Sequence, residues 1–380
     1  MSRVEELLAK YNPNGINDIP LWELTAWDKR FNAVDKSMQK KVVKYKYYLA
    51  KDLDELVDDI GDIRILYTNE RVAYTSEDKC KDNICEGEIV AIPWGGTPTV
   101  KYYKGKFVTG DNRIATSLDT NRLNNKYLYY WMISQLGIIS DYYRGAGIQH
   151  PSMLSVLSMQ IPLPHIKVQE EIVKILDSFT NLIDALNEEL SLRQKQFEYY
   201  REKLLTFDGR KIKVEDFCLL KAGKAINAKE LSEKCDEMHP YACYGGNGIR
   251  GYIGKSSHGG TYPIIGRQGA LCGCVSLVSG LFYATEHAVV VTAKKGYDSK
   301  FLYYLFKNAN LNQYKSNGAQ PGLAVSNLNL LEFSIPPLAI QQSIVEKLDA
   351  FESLISSLKE EIALRQKQYE YYREKLLTFE

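Results

Sequence analysis

Sixteen residues from Leu192 to Phe207, Leu-Arg-Gln-Lys-Gln-Phe-Glu-Tyr-Tyr-Arg-Glu-Lys-Leu-Leu-Thr-Phe, recur from Leu364 to Phe379 with one change, Phe197 to Tyr369. The match continues upstream at the same offset of 172 residues, pairing Pro164 with Pro336, Gln169 with Gln341, Ile172 with Ile344, Leu176-Asp177 with Leu348-Asp349 and Phe179 with Phe351. A period this long marks a duplicated domain and excludes a stacked solenoid, whose repeats run to a few tens of residues.

Both copies read as helices. They contain no internal Pro or Gly, Pro162/Pro164 and Pro336/Pro337 stand just before them, and Asp208-Gly209 follows the first. A set that is apolar but for Arg193 recurs every seven positions as Ile172, Phe179, Leu186, Arg193, Tyr200 and Phe207, with a second, wholly apolar set at Leu176, Ile183, Leu190, Phe197 and Leu204. Copy two repeats both sets, from Ile344 to Phe379 and from Leu348 to Leu376. Two seams held over five heptads are the pattern of a coiled coil, and the natural partner of each copy is the other. Arg193 and Arg365 share one seam position and read as register markers, with a subunit-docking role the alternative. About 40 residues at 1.5 Å each make a rod of roughly 60 Å, which suits a spacer.

The blocks ahead of the helices match more loosely. Asn125–Trp131 resembles Ser299–Leu305, Gly105–Asn112 resembles Gly280–His287, and Gly147-Ile148-Gln149 echoes Gly318-Ala319-Gln320. Near-identical helices carrying dissimilar blocks describe a common frame with two different heads. Short β-type runs (Glu88–Ile92, Tyr262–Ile265, His287–Thr292), glycine-rich turns and helical patches make each head a mixed domain, and the fold class is α+β. The expected segments are residues 1–15, packing near the C-terminal helix, a first domain over 16–165, a helix over 166–207, a second domain over 208–337 and a helix over 338–380.

Net charge is only +1 over 380 residues, but the charge is sorted by segment. Residues 100–150 carry seven Lys/Arg against three acids and residues 216–337 twelve against eight, whereas each long helix has six basic and eight acidic residues over 167–203 and 346–380. Positive charge sits on the heads, where a polyanion would be held. No apolar run approaches a membrane span and the first residues have no apolar stretch, so neither a membrane helix nor a secretory signal is expected; the seven cysteines lack framework spacing, and a cytoplasmic chain is expected.

Motifs for chemistry are missing. Gly246-Asn-Gly-Ile-Arg-Gly251 fits G-x-G-x-x-G by letters, but no Asp or Glu occurs between Glu237 and Glu286 and the following residues read as a loop, so a dinucleotide site is refused. There is no phosphate-binding G-x-x-x-x-G-K-[ST], no Asn-Pro-Pro-Tyr or Asp-Pro-Pro-Tyr of an adenine methyltransferase, and no C-x-x-C to suggest zinc. Cys272 and Cys274 read as small core fillers on a strand.

The order of domain, long helix, second domain and near-copy of the helix resembles the specificity subunits of Type I restriction-modification systems over the whole chain. Its most specific elements are the paired 16-residue helices, Gly95-Gly96-Thr97-Pro98 and Ile265-Gly266-Arg267-Gln268-Gly269. The resemblance implies two target-recognition domains set by an antiparallel coiled coil, each reading half of a split double-stranded DNA target. It implies two methyltransferase subunits and restriction subunits as partners. The chain itself is expected to be no enzyme and to hold no cofactor or metal, with S-adenosylmethionine, ATP and Mg on the partners. A coiled-coil scaffold with protein-binding ends is the alternative.

Arg and Lys recognise guanine edges, Asn and Gln adenine, and phosphates take Lys, Tyr and backbone amides at glycine-rich turns. On that chemistry the DNA-binding candidates are Lys101, Tyr102, Tyr103, Lys104, Arg113, Arg144 and Gln149 in the first domain. In the second they are Lys221, Lys224, Tyr244, Asn247, Arg250, Arg267, Gln268, His287 and Gln320.

Overall fold

Two unbroken helices of 39 and 40 residues, α3 (Ile166–Leu204) and α5 (Leu338–Leu377), organise the computed structural model, which describes residues 2–80, 83–269, 272–316 and 321–379. By contact the chain divides into two units, residues 1–185 with 362–380, and residues 186–361. Each unit therefore holds one globular domain, the N-terminal part of one long helix and the C-terminal part of the other.

The first domain is a six-stranded sheet of β1 (Thr25–Trp27), β2 (Ile63–Leu66), β3 (Val72–Thr75), β4 (Cys85–Pro93), β5 (Lys101–Thr109) and β6 (Asn112–Ser117), in spatial order β1-β6-β4-β5-β2-β3. The second contains β7 (Cys218–Ala222), β8 (Tyr241–Gly245), β9 (Gly248–Ile253), β10 (His258–Gly266), β11 (Val275–Ala284) and β12 (Ala288–Ala293), in order β7-β12-β10-β11-β8-β9. Adding six to each label of the first order gives the second. In both, one pairing is parallel, β2 with β5 and β8 with β11, while the other neighbours run antiparallel. Each domain is closed by a short antiparallel ribbon joining its entry to the segment before its long helix, Asp18–Pro20 with Gln160–Pro162 and Lys211–Lys213 with Glu332–Ser334. The α+β expectation, with long helices and two equivalent domains, holds.

One helix per domain couples sheet to rod. These are α2 (Asn125–Ser134) and α4 (Ser299–Asn308), preceded by α1 (Arg3–Tyr11) at the N-terminus. Asn124 caps α2 by accepting from Lys126 N and Tyr127 N, and Asp298 caps α4 through Phe301 N, so both helices begin on an Asx side chain that satisfies amides lacking a helical partner. α1 begins on a capping box between Ser2 and Glu5.

A polar clamp repeated in both units fixes each domain to its helix. Buried Gln169 on α3 accepts from Asn124 N at 2.9 Å and donates to Arg122 O and Pro164 O, both at 2.8 Å. Gln341 on α5 accepts from Asp298 N at 2.9 Å and donates to Pro336 O at 2.8 Å. Two helical turns on, Asp177 accepts from Lys126 Nζ at 2.9 Å and Tyr130 Oη at 2.6 Å, as Asp349 does from Lys300 at 2.6 Å and Tyr304 at 2.8 Å. Burial, followed by these carboxylate contacts, pushes both phenols far above their ordinary pKa. The hydroxyls therefore stay donors across the accessible pH range.

Apolar seams do the rest. In the first unit Val168, Ile172 and Leu176 of α3 share a core with Val4 and Leu7 of α1 and Leu377 of α5, and Phe179 stacks on Tyr372 at 5.3 Å. In the second, Phe197 of α3 and Leu205 just past its end share a core with Ile344, Val345 and Leu348 of α5, and Phe351 lies 5.6 Å from Tyr200. Fully burying one such Leu or Ile contributes about 1.5–3 kcal/mol. Arg193 turns along its own helix to Gln196 at 3.0 Å and Glu189 at 3.4 Å, and Arg365 to Gln368 at 2.9 Å, which keeps both cations at the seam's margin. Cys272 is buried in the core of the second unit, as a small core filler would be, whereas Cys274 is exposed and fills no core; both lie between β10 and β11 rather than on a strand, which corrects that part of the reading. Among the described residues, no helix is long and apolar enough to cross a membrane.

Candidate nucleic-acid interface

In the second domain a cleft of about 510 Å³ opens between the β8–β9 hairpin tip and the turn after β10. Gly246, Asn247, Arg250, Gln268, Gly269 and His287 line it, so four of the residues chosen from sequence meet at one place. The hairpin tip needs Gly248 at φ +84°, and Gly266 lets the two walls close, since a Cβ there would stand 2.0 Å from Gly246 O. The G-x-G-x-x-G letters are thus a hairpin tip and not a helix start. Asn247, Arg250 and Gln268 are exposed, and Arg250 and Gln268 supply donors from opposite walls.

Behind them the turn between β11 and β12 sets His287 Nε2 3.2 Å from Glu286 Oε1, and Arg267 N donates to His287 O at 2.9 Å. Arg267 Nε, Glu286 Oε2 and His287 Nδ1 are buried without a hydrogen-bond partner among the described residues. Unsatisfied buried polar atoms cost stability and concentrate at functional surfaces. Lys221 and Lys224 are exposed at the end of β7, and the charge of Lys221 adds to burial in lowering the His258 pKa. Tyr244 is a packing residue, its ring 5.8 Å from Phe282. Gln320 lies outside the described residues.

In the first domain the chosen residues divide. Arg113 is withdrawn from the interface: it is 1 % exposed, paired with Asp28 at 2.6 Å and with Asp111, and stacked 4.8 Å from the Trp94 ring. A cation so enclosed holds β6 to the segment after β1 and reaches no ligand. Tyr103 packs against Phe107 at 6.1 Å, and Lys104 pairs with Glu88 at 3.4 Å. Tyr102 donates to Glu88 at 2.8 Å and supports the Lys126 ammonium at 5.2 Å. Lys101 donates to Tyr67 O, and burial, then the neighbouring Arg64 charge, lower its pKa to about 8. Arg144, at the end of a two-residue strand paired with His150, and Gln149, in the loop that joins them, are exposed, and Gly96 N of the Gly95-Gly96 turn donates to Gln149 O at 3.2 Å.

Because the strand order repeats, the first domain has a cleft at the equivalent place, between the β2–β3 tip and the β4–β5 turn. Arg64, Asn69, Arg71, Thr99 and Lys101 line about 240 Å³ of it, and Asn69 and Thr99 continue along the Gly95-Gly96-Thr97 turn. Of these, sequence reasoning found only Lys101. The signal was present in Leu66-Tyr-Thr-Asn-Glu-Arg-Val72, a short polar turn between β-type runs, but nothing local tied it to the Gly95 turn.

Comparison with known proteins follows this geometry. The family model for the Type I restriction modification DNA specificity domain matches twice, over residues 28–192 and 208–364. The chain belongs to that family. It is 43% identical over 208 residues to the Type I restriction enzyme EcoprrI specificity subunit of Escherichia coli, a stretch covering 52% of each chain, so the chain matches about half of that relative's length. A putative type I specificity subunit of Mycoplasma pneumoniae is 30% identical over 249 residues, 61% of this chain and 91% of that one. The S subunit of a Type I restriction-modification system from M. genitalium superposes with a TM-score of 0.67 at 16% identity, covering 97% of this chain and 98% of that one. That last likeness is one of fold. The first matched stretch contains five of the six strands of its sheet, all but β1, and the second contains all six of its own, each with its cleft, so the duplication seen in the helices extends to the specificity domain.

Proposed function

We propose that this specificity-family chain reads a split double-stranded DNA target, one half with each domain, and docks methyltransferase and restriction subunits that carry the chemistry. The observation that carries the reading is one cleft built twice by one topology and lined differently: Asn247, Arg250, Gln268 and His287 in one copy, Arg64, Asn69, Arg71 and Lys101 in the other. Shared architecture with divergent linings is what two readers of different sequences require, because base edges are discriminated by the side chains that meet them.

The helices support the partner part of the reading. Leu192 and Leu364 are 58% and 51% exposed, and Tyr199 and Tyr371 59% and 58%, within the 16-residue segments that the two helices share with one change. Two identical exposed apolar strips offer two copies of the same partner the same surface. S-adenosylmethionine, ATP and Mg would be held by those partners, and a partner methyltransferase would flip an adenine of each half-site into its own pocket. The chain by itself catalyses nothing in this account.

Gel shifts of the chain assembled with its methyltransferase test the proposal. Binding to its own target duplex should weaken steeply with salt, as phosphate contacts release counterions. Salt-insensitive association, or an equal affinity for every duplex, contradicts it.

A further inference from the structure

We infer that the β2–β3 tip of the first domain, through Asn69 and Arg71, chooses the bases of one half-site; this assignment rests on the function proposed above. Three observations converge. The first is place: the parallel pairing of β2 with β5 brings this tip beside the β4–β5 turn, as β8 with β11 brings the Asn247 tip beside the turn after β10. The second is content, since each hairpin carries an exposed asparagine in its turn followed by an exposed arginine, Asn69 with Arg71 in the same turn and Asn247 with Arg250 on the strand that follows. The third is an unanswered polar atom, Thr99 Oγ1, buried without a hydrogen-bond partner among the described residues at the floor shared by both parts of the cleft.

The local geometry prepares these side chains. Arg71 N donates to Asn69 Oδ1 at 3.0 Å, which fixes the asparagine and leaves its Nδ2 amide to donate. The Arg71 guanidinium lies 4.8 Å over the Tyr67 ring and pairs with Asp54, and both partners of that pair are about half exposed, 48% and 60%. An exposed pair contributes little and can be exchanged for a guanine edge, while stacking on the ring keeps the planar fork oriented. Arg64 and Lys101 add positive charge along the same cleft, with Glu70 the one acid among its lining residues. A guanidinium pairs with O6 and N7 of guanine and a side-chain amide with adenine, each such contact worth about 5- to 150-fold in discrimination (~1–3 kcal/mol).

The test expresses the full chain with its methyltransferase in a host lacking adenine methylation and maps the methylated adenines. Replacing the second domain identifies the half-site that the first domain reads. Arg71→Ala and Arg71→Lys should each lose discrimination by about 10-fold or more at one position of that half. Asn69→Ala should relax another position, and the opposite half should be unchanged. Asp54→Asn supplies the control, because it frees Arg71 without removing it: the half-site should be retained. The assignment is overturned if Arg71→Ala leaves both halves as discriminating as before, or if Asp54→Asn reproduces the loss, which would make Arg71 a partner of Asp54 and no more. A wild-type chain that directs no split methylation overturns the function proposed above along with this assignment, whereas a wild-type split target with an unaffected Arg71→Ala variant overturns this assignment alone.

Discussion

Arg113 and Lys101 show that a cation's role is set by what encloses it. Arg113 is an internal ion-pair residue, so Arg113→Ala strands Asp28 in a buried setting that already raises its pKa by desolvation against the arginine's pull. We expect a loss of about 3–5 kcal/mol in urea denaturation, with the recognised sequence unchanged in whatever protein folds. Lys101 behaves oppositely. Its pKa falls to about 8 in the folded chain from an ordinary 10.5, so the native state disfavours its charge. That penalty is full below pH 8 and disappears as pH rises toward 10.5, where the unfolded chain also loses the proton. Lys101→Met should therefore stabilise the chain by about 1–3 kcal/mol at pH 7 and by nothing near pH 10.5, measured as Tm against wild type at both values. A gain equal at the two pH values would contradict the desolvation account. The same substitution should weaken DNA binding, because a phosphate or base edge is what would compensate the buried charge.

The long helices act as elements through two devices, the clamp and the seam. Gln341→Ala removes the acceptor of Asp298 N–H and the donor to Pro336 O in one step. An unsatisfied buried amide costs about 1–3 kcal/mol, and hydrogen exchange should quicken at the start of α4 while α2, held by Gln169, keeps its protection. Equal loosening of both helices would mean that the clamps do not act domain by domain. The seam makes a second prediction. One heptad inserted after Ala185 and another after Glu361 preserves both apolar sets and adds about 10 Å of helix. The unread spacer of the DNA target should grow by about three base pairs, read from methylated sites; an unchanged spacer contradicts the helices' role as the spacing element. This much of the element scale was legible beforehand. The offset of 172 residues already paired Gln169 with Gln341 and Asp177 with Asp349, although not what they bind, since their partners on α2 and α4 lie more than forty residues away.

At the scale of the whole molecule, the duplication was readable and the clefts only half so. The second cleft could be anticipated because Asn247 and Arg250 stand in a glycine-rich stretch that announces a tip, with Gln268 in another. The first could not, because Asn69 and Arg71 meet Thr99 and Lys101 only through the pairing of β2 with β5. Arg113 was misjudged for a related reason: Asp111 is close in sequence, but the Asp28 carboxylate that completes its enclosure is 85 residues distant, and no local pattern distinguishes a cation that will be enclosed from one that will be exposed. Repeats survive in sequence, whereas non-local pairing must be folded to be seen. The central claim remains that the chain is two independent readers on one frame. Its most direct test exchanges residues 208–337 for the corresponding domain of another specificity-family chain and maps methylated adenines in cells that supply the methyltransferase. One half of the target should change to the donor's sequence while the other half stays as before; a target altered in both halves, or in neither, contradicts the account.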